Sequence, residues 1–358
     1  MNPILDISEI SQKVGRLFIA GMPGPGLDTN TASLITHYHL GGIILFKRNI
    51  IDPIQLARLC RDIQQVSFTN SGIPLFLAID QEGGRVARLG EPFTQFPGNA
   101  SVGKSPDPET SALEFARTTA MEMSLVGLNM NMAPVLDVAN PNMDAHLVGR
   151  SFSDDPQRVA ALGTTVIDTM QGAGIMAVGK HFPGLGRSDR DPHLNLPTVH
   201  ATLEEMESIH LPPFAGAIAA GVSSIMSSHA IYPALDHGVP ATLSRKIMTE
   251  LLRDKMGFSG LVISDDLEMG AIEKRTPLPE GAANAFEAGI DLLLICKDQS
   301  LLRESIEHLR NKVLRGEISH ERLHESLGRI AEAKNRFLSP RKRIVLKRVR
   351  EYFQGLHR

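Results

Sequence analysis

The sequence predicts an α/β fold: a single (β/α)8 TIM-type barrel with extra helices at its C-terminal end. Three observations predict it. Short, almost unbroken apolar runs alternate with segments of helical period, the pattern of a parallel sheet covered on both faces. Eight such runs fall between residues 16 and 296, which suits a closed barrel of about 250 residues better than an open doubly wound sheet. No linker, repeat or low-complexity stretch marks a second domain, and 358 residues can enclose one large core.

In order, the expected strands are residues 16–21, 42–46, 75–80, 129–138, 175–180, 223–229, 260–264 and 290–296. Several intervening helices are announced by Asp-Pro, an N-cap acceptor followed by the proline favoured in a first turn. Asp52-Pro53 precedes Ile54, Leu56, Leu59, Cys60, Ile63 and Val66. Asp107-Pro108 precedes Leu113, Phe115, Met121 and Leu125, and Asp155-Pro156 precedes Val159, Leu162, Val166 and Met170. Ser244 opens a further helical segment running to about Met256. Beyond Asp298, residues 301–314 and 319–337 read as two amphipathic helices on the outside of the barrel. The barrel unit is expected to span residues 1–340. Residues 341–358 form a basic tail, with Ile344, Val345, Leu346, Val349 and Phe353 interleaved. A solvated last helix is expected there rather than a nucleic-acid or partner-binding arm.

A formal net charge of −3 gives no global pull toward nucleic acid or an anionic membrane. Hydrophobic residues at 42% and charged residues at 22% are ordinary for a globular protein. No apolar run approaches the roughly 20 residues needed to cross a bilayer. The first residues lack the basic start and apolar stretch of a secretory signal, so a cytoplasmic location is expected. The two cysteines, Cys60 and Cys296, are too few for a disulfide scaffold or a zinc site of their own and are expected in the core.

Ionisable groups gather where strands end and βα loops begin, the place where such barrels keep their chemistry. The third strand ends in Asp80, followed by Gln81-Glu82-Gly83-Gly84-Arg85 and then Arg88. The fourth runs into Asp137, and its loop carries Arg150-Ser151-Phe152. The fifth ends in Lys180-His181 and leads to Asp191-Pro192-His193; the sixth ends at His229 and the seventh at Ser264-Asp265-Asp266. Each alone has a structural explanation as a cap, an ion-pair partner or a core histidine. Their concentration on one rim is hard to assign to packing.

So many carboxylates and cations suit a polyhydroxylated ligand rather than an apolar one. Asp80, Arg88, Arg150 and Lys180 offer a bidentate clamp for sugar hydroxyls. Cleaving a glycoside needs a nucleophile or base on one face of the anomeric carbon and a proton donor for the departing oxygen. Asp265 at a strand end suits the first task. For the second, the loop offers His193 with Asp191 two residues earlier, a carboxylate that would fix the imidazole tautomer and favour its protonated form.

The runs 79–88, 149–152, 180–184 (Lys180-His181-Phe182-Pro183-Gly184), Asp191-x-His193 and Ser264-Asp265-Asp266-Leu267-x-Met269 resemble glycoside hydrolase family 3. Within it they are similar to the single-domain bacterial β-N-acetylglucosaminidases of peptidoglycan recycling. The resemblance covers roughly residues 14 to 335, with the motifs in the family's order. It implies a retaining mechanism through a glycosyl-enzyme on Asp265, with a His193–Asp191 dyad on a mobile loop as acid/base. It also implies that Asp80, Arg88, Arg150, Lys180 and His181 hold the N-acetylglucosamine ring, with no metal or other cofactor. Two positions depart from the family pattern: Leu185 replaces a frequent histidine, and Pro192 replaces the serine between the dyad residues.

The expected substrate is a small muropeptide-type glycan with a terminal, non-reducing β-linked N-acetylglucosamine, with no nucleic-acid or membrane partner. Absence of tryptophan and 5% aromatics argue against a long polysaccharide cleft. Alternatives are a related β-glucosidase or glycoside phosphorylase, a non-catalytic sugar-binding barrel, and a metal-dependent hydrolase using His181, His229 and Asp265 as ligands.

Overall fold

A computed structural model describes residues 7–140, 147, 149–186, 188, 196–273, 276–339 and 343–355. The expected barrel is present. Its strands are β1 (Phe18–Gly21), β2 (Gly42–Leu45), β3 (Phe76–Ile79) and β4 (Met130–Asn131). They continue with β5 (Met176–Phe182), β6 (Ser224–Ser227), β7 (Leu261–Asp266) and β8 (Leu292–Ile295). Each pairs in parallel with its neighbours in sequence, and β1 closes the ring on β8 through Phe18–Leu293 and Ile19–Leu294. Burial on both faces explains the near-continuous apolar runs: Phe76, Leu77, Ala78 and Ile79, for instance, have no exposed surface. Closure also needs close backbone approach. A Cβ added to Gly21 would lie 1.9 Å from the Cys296 carbonyl oxygen, so only glycine fits there.

The Asp-Pro signals mark helix starts as expected. Helices span Pro53–Ser71, Pro108–Val126 and Pro156–Gly172, capped by the side chains of Asp52, Asp107 and Asp155 accepting backbone N–H groups. The segment after Ser244 winds as a wider, π-type helix over Lys246–Lys255.

Several details differ from the sequence expectation. The fourth strand, expected over 129–138, keeps regular pairing at Met130–Asn131 alone. Pro134 has no N–H to donate, and the chain then runs beside β5 through single contacts such as Leu136 N–H to the Lys180 carbonyl. The fifth and seventh strands run further than expected, so His181, Asp265 and Asp266 stand on strands rather than after them. Two hairpins were not anticipated: Gln81–Gly83 with Val86–Ala87, and Ile231–Tyr232 with Asp236–Pro240. The first turns at Gly83 and Gly84, both at positive φ (85° and 60°), which the Gly-Gly pair permits without a Cβ penalty.

The C-terminal helices are Gln299–Leu314, His320–Leu338 and Leu346–Gly355. The last is docked rather than solvated all round. Val349 and Phe353 are buried, with the Phe353 ring 4.6 Å from that of Phe93, while Lys347, Arg348 and Arg350 face outward. The i, i+4 apolar pair turns one face of a basic helix to the barrel. Cys60 and Cys296 are buried, unpaired core residues.

Candidate active site

The ionisable strand-end groups meet on the C-terminal rim. Asp80, directly after β3, accepts from Lys180 Nζ (2.9 Å) and lies 3.5 Å from Arg88 Nη2. Lys180 reaches on to Glu82 Oε1 at 2.7 Å. Arg150 grips the same carboxylate with two donors, Nε to Oε2 at 2.9 Å and Nη2 to Oε1 at 2.8 Å. Arg150 Nη2 also faces His181 Nε2 at 3.4 Å, and His181 Nδ1 lies 2.7 Å from Asp137 Oδ2. A guanidinium can only donate, so Nε2 accepts and Nδ1 carries the proton toward Asp137. The five residues expected to hold sugar thus form one connected network.

Two members were missing from the expected set. Glu82 has 2% of its surface exposed and stands at the centre of the network. Asp137, fully buried, accepts from His181 Nδ1 and from the backbone N–H groups of His181 (3.2 Å) and Leu185 (2.8 Å). The motif Gln-Glu-Gly-Gly contains Glu82, but a glutamate before a Gly-Gly turn gives no sign of burial. Only its two cations, 68 and 98 residues further on, do so.

Electrostatics follow from this pairing. Burial pushes the Glu82 carboxyl up, but Lys180 and Arg150 outweigh it and hold it at about 2. Burial likewise opposes charge on Lys180, and Asp80 and Glu82 overcome it, raising its pKa. Arg150 is raised in the same way by Glu82. For Asp137, burial is outweighed by His181 and by the three hydrogen bonds it accepts, and its pKa is lowered.

Asp265 and Asp266 close β7 and are partly buried. Asp265 Oδ1 accepts the Asp266 N–H at 2.8 Å. Burial raises its pKa, yet the imidazoles of His181 and His229, that N–H and Lys180 bring it below the ordinary carboxylate value. Asp266 goes the other way: burial, then Glu268 and Asp265, push it up to about 7. Glu268 in turn accepts the backbone N–H groups of Cys296, Lys297 and Asp298 after β8. His229 donates from Nε2 to the Asp266 carbonyl (3.0 Å), with Nδ1 at 2.7 Å from Thr242 Oγ1.

Donors are left over at this rim. Lys180 has three protons and spends two on Asp80 and Glu82. Arg150 makes its bonds through Nε and Nη2, leaving Nη1 without an acceptor among the described residues. Arg88 Nε is buried with no partner there. Unspent donors on buried cations are what a polar ligand would satisfy.

The residues do not suit a metal centre built on His181, His229 and Asp265. Both imidazoles have both nitrogens engaged by protein groups, and Nδ1 of His181 and Nε2 of His229 carry protons. Asp191, Pro192 and His193 lie outside the described residues. The loop's near end is described: the Leu185 side chain is buried, and its N–H is fixed on Asp137. The far end is tied by a bridge between Ser188 and Val199 and another between Thr198 and Ile231.

A cavity of about 460 Å³ opens at the opposite face of the barrel, around Pro74, Leu128, Gly174 and Ile175. Two of its polar lining residues, Gln64 and Asn129, are spent holding the backbone of Leu75 and Leu77. The connected network of cations and carboxylates lies on the rim at the other end.

Residues 9–333 match the glycosyl hydrolase family 3 N terminal domain. A β-hexosaminidase A of Pseudoalteromonas piscicida is 34% identical over 333 residues, 87% of this chain and 56% of that protein. The chain therefore spans little more than half the length of that relative. A β-hexosaminidase of Tolumonas auensis is 38% identical over 291 residues, 80% of this chain and 85% of its own. The solved structure of a family 3 β-N-acetylglucosaminidase from Paenibacillus sp. superposes with a TM-score of 0.89 at 38% identity, covering 97% of this chain and 68% of that one.

Proposed function

The chain belongs to glycoside hydrolase family 3, and from that premise we propose that it is a retaining β-N-acetylhexosaminidase with Asp265 as nucleophile. The observation that carries the reading is the divergence of the two neighbouring carboxyls on β7. Asp265 is held ionised, ready to attack, while Asp266 is held up at about 7.

In the first step an Asp265 carboxylate oxygen bonds to the anomeric carbon as the glycosidic C–O bond breaks. The departing oxygen takes a proton from His193. In the second, water attacks the same carbon, gives a proton to His193 and releases the Asp265 carboxylate, so the β configuration is retained. Asp191 keeps His193 in the donating tautomer and favours its charged form. Asp80, Arg88, Arg150, Lys180 and His181 hold the ring through the donors and acceptors described above. Support for these roles is the connected network, its unspent donors, and the names carried by the relatives.

The finer reading is release of terminal, non-reducing β-linked N-acetylglucosamine from a small muropeptide-type glycan during wall recycling, in the cytoplasm. It rests on the motif resemblance. No described helix is long and apolar enough to cross a membrane. Water rather than phosphate is the proposed acceptor, because Asp80, Glu82, Asp137, Asp265 and Glu268 would repel a phosphate dianion entering among Arg88, Arg150 and Lys180.

Hydrolysis of an aryl N-acetyl-β-glucosaminide tests the proposal. Turnover is expected with wild type, lost in Asp265→Ala and strongly reduced in His193→Ala. Inactivity of wild type on every β-N-acetylglucosaminide, or a preference for glucosides or for phosphate as acceptor, would overturn it.

A further inference from the structure

We propose that Glu82 is a positioning residue of this site, the carboxylate that aims Arg150 and Lys180 at the sugar. The assignment rests on the reading of the rim as a sugar site. Its geometry is specific. One buried carboxylate receives Arg150 through two parallel donors and Lys180 through a third bond on the oxygen that Nη2 also uses. A two-point grip fixes the plane of the guanidinium as well as its position. With Nε and Nη2 committed, the Nη1 edge is the part of Arg150 left to meet a ligand. With Asp80 and Glu82 each taking one ammonium proton, the third proton of Lys180 has a single direction left to it. Glu82 thus selects which donors remain and where they point. Because it lies behind both cations, it acts through them.

The charge follows the same logic. The groups facing Lys180 are Asp80 after β3, Glu82 in the adjoining hairpin, Arg150 from the loop after β4, and Asp265 on β7. Removing Glu82 leaves burial and Arg150 acting against the ammonium with one direct carboxylate fewer. Lys180 then sheds its proton at a lower pH than in the intact protein. A residue that merely filled space would not move that titration.

The test uses the full chain as wild type, Glu82→Gln, and Glu82→Ala with and without formate. With Glu82→Gln we expect KM for the aryl N-acetyl-β-glucosaminide to rise about tenfold or more, with a smaller change in kcat. NMR titration of the Lys180 side chain should show its midpoint falling by about one pH unit or more. In Glu82→Ala, formate should restore part of the lost affinity by replacing the missing carboxylate between the two cations. Folded variants with wild-type KM and an unchanged Lys180 titration overturn the assignment. So do variants that fail to fold, because Glu82 then belongs to the stability of the barrel. If wild type proves inactive, the functional reading fails, while the Lys180 titration still decides the role of Glu82.

Discussion

Asp266 donates its backbone N–H to Asp265 Oδ1 at 2.8 Å, so the second aspartate of the pair stabilises charge on the first. Its own carboxyl, crowded by Glu268 and Asp265 in a partly buried position, is held up at about 7. Asp266→Asn should therefore retain most of the activity that Asp265→Ala loses. It should also change stability with pH in a defined direction. A carboxyl whose folded pKa is raised weakens the folded state progressively as pH rises from the unfolded value to the folded one, fully above it, and the penalty fades as pH falls back toward the unfolded value. Asp266→Asn should thus melt higher than wild type, by most above about pH 7, the gap narrowing as pH falls and closing near the ordinary carboxylate value, as thermal unfolding across pH will show. A pH-independent difference would contradict the shift.

Activity should follow a bell in pH. The acid limb reports Asp265, which must be ionised, and its lowered pKa puts that limb below the ordinary carboxylate range. The alkaline limb reports His193, which must be protonated to serve the leaving oxygen. Asp191→Asn removes the charge that favours the imidazolium, so the alkaline limb should move to lower pH. A profile unchanged by Asp191→Asn would remove the dyad from the mechanism.

Asp137 anchors both His181 and the root of the loop that leads toward the dyad. Asp137→Ala leaves the N–H groups of His181 and Leu185 without their acceptor in a buried setting. Urea unfolding should show a loss of about 3–5 kcal/mol. Because the Asp137 pKa is lowered, its contribution is present above the ordinary carboxylate value and fades as pH falls through the folded one. The gap between wild type and Asp137→Ala should accordingly narrow in acid.

The last helix is held by Phe353 against Phe93, and Tyr352 donates to Glu122 at 3.1 Å. Phe353→Ala should cost about 3–5 kcal/mol in unfolding experiments while leaving kcat and KM of the folded enzyme unchanged. A selective loss of activity would instead tie this helix to the site.

Much of the architecture was legible because it depends on local pattern. Strands buried on both faces read as apolar runs, and Asp52, Asp107 and Asp155 announced their helices by the chemistry of a cap. The rim was legible because Asp80, Lys180, His181 and Asp265 directly terminate or follow such runs. What escaped depends on partners distant in sequence. Glu82 becomes a buried centre only when Arg150 and Lys180 fold onto it, and Phe353 becomes core only beside Phe93. The break at Pro134 was visible as a residue, but the apolar run around it outweighed its missing N–H. Pro192, noted as a departure from the family, falls with Asp191 and His193 outside the described residues. Leu185, the other departure, takes a place in the core while its N–H holds Asp137.

The proposed mechanism turns on Asp265 forming the bond to sugar. Treating the protein with a fluorinated N-acetylglucosaminide analogue that slows the second step should leave a covalent adduct. Fragmentation of the labelled peptide by mass spectrometry then locates it. The sugar is expected on Asp265; an adduct on Asp266 or on any other residue would contradict its role as nucleophile.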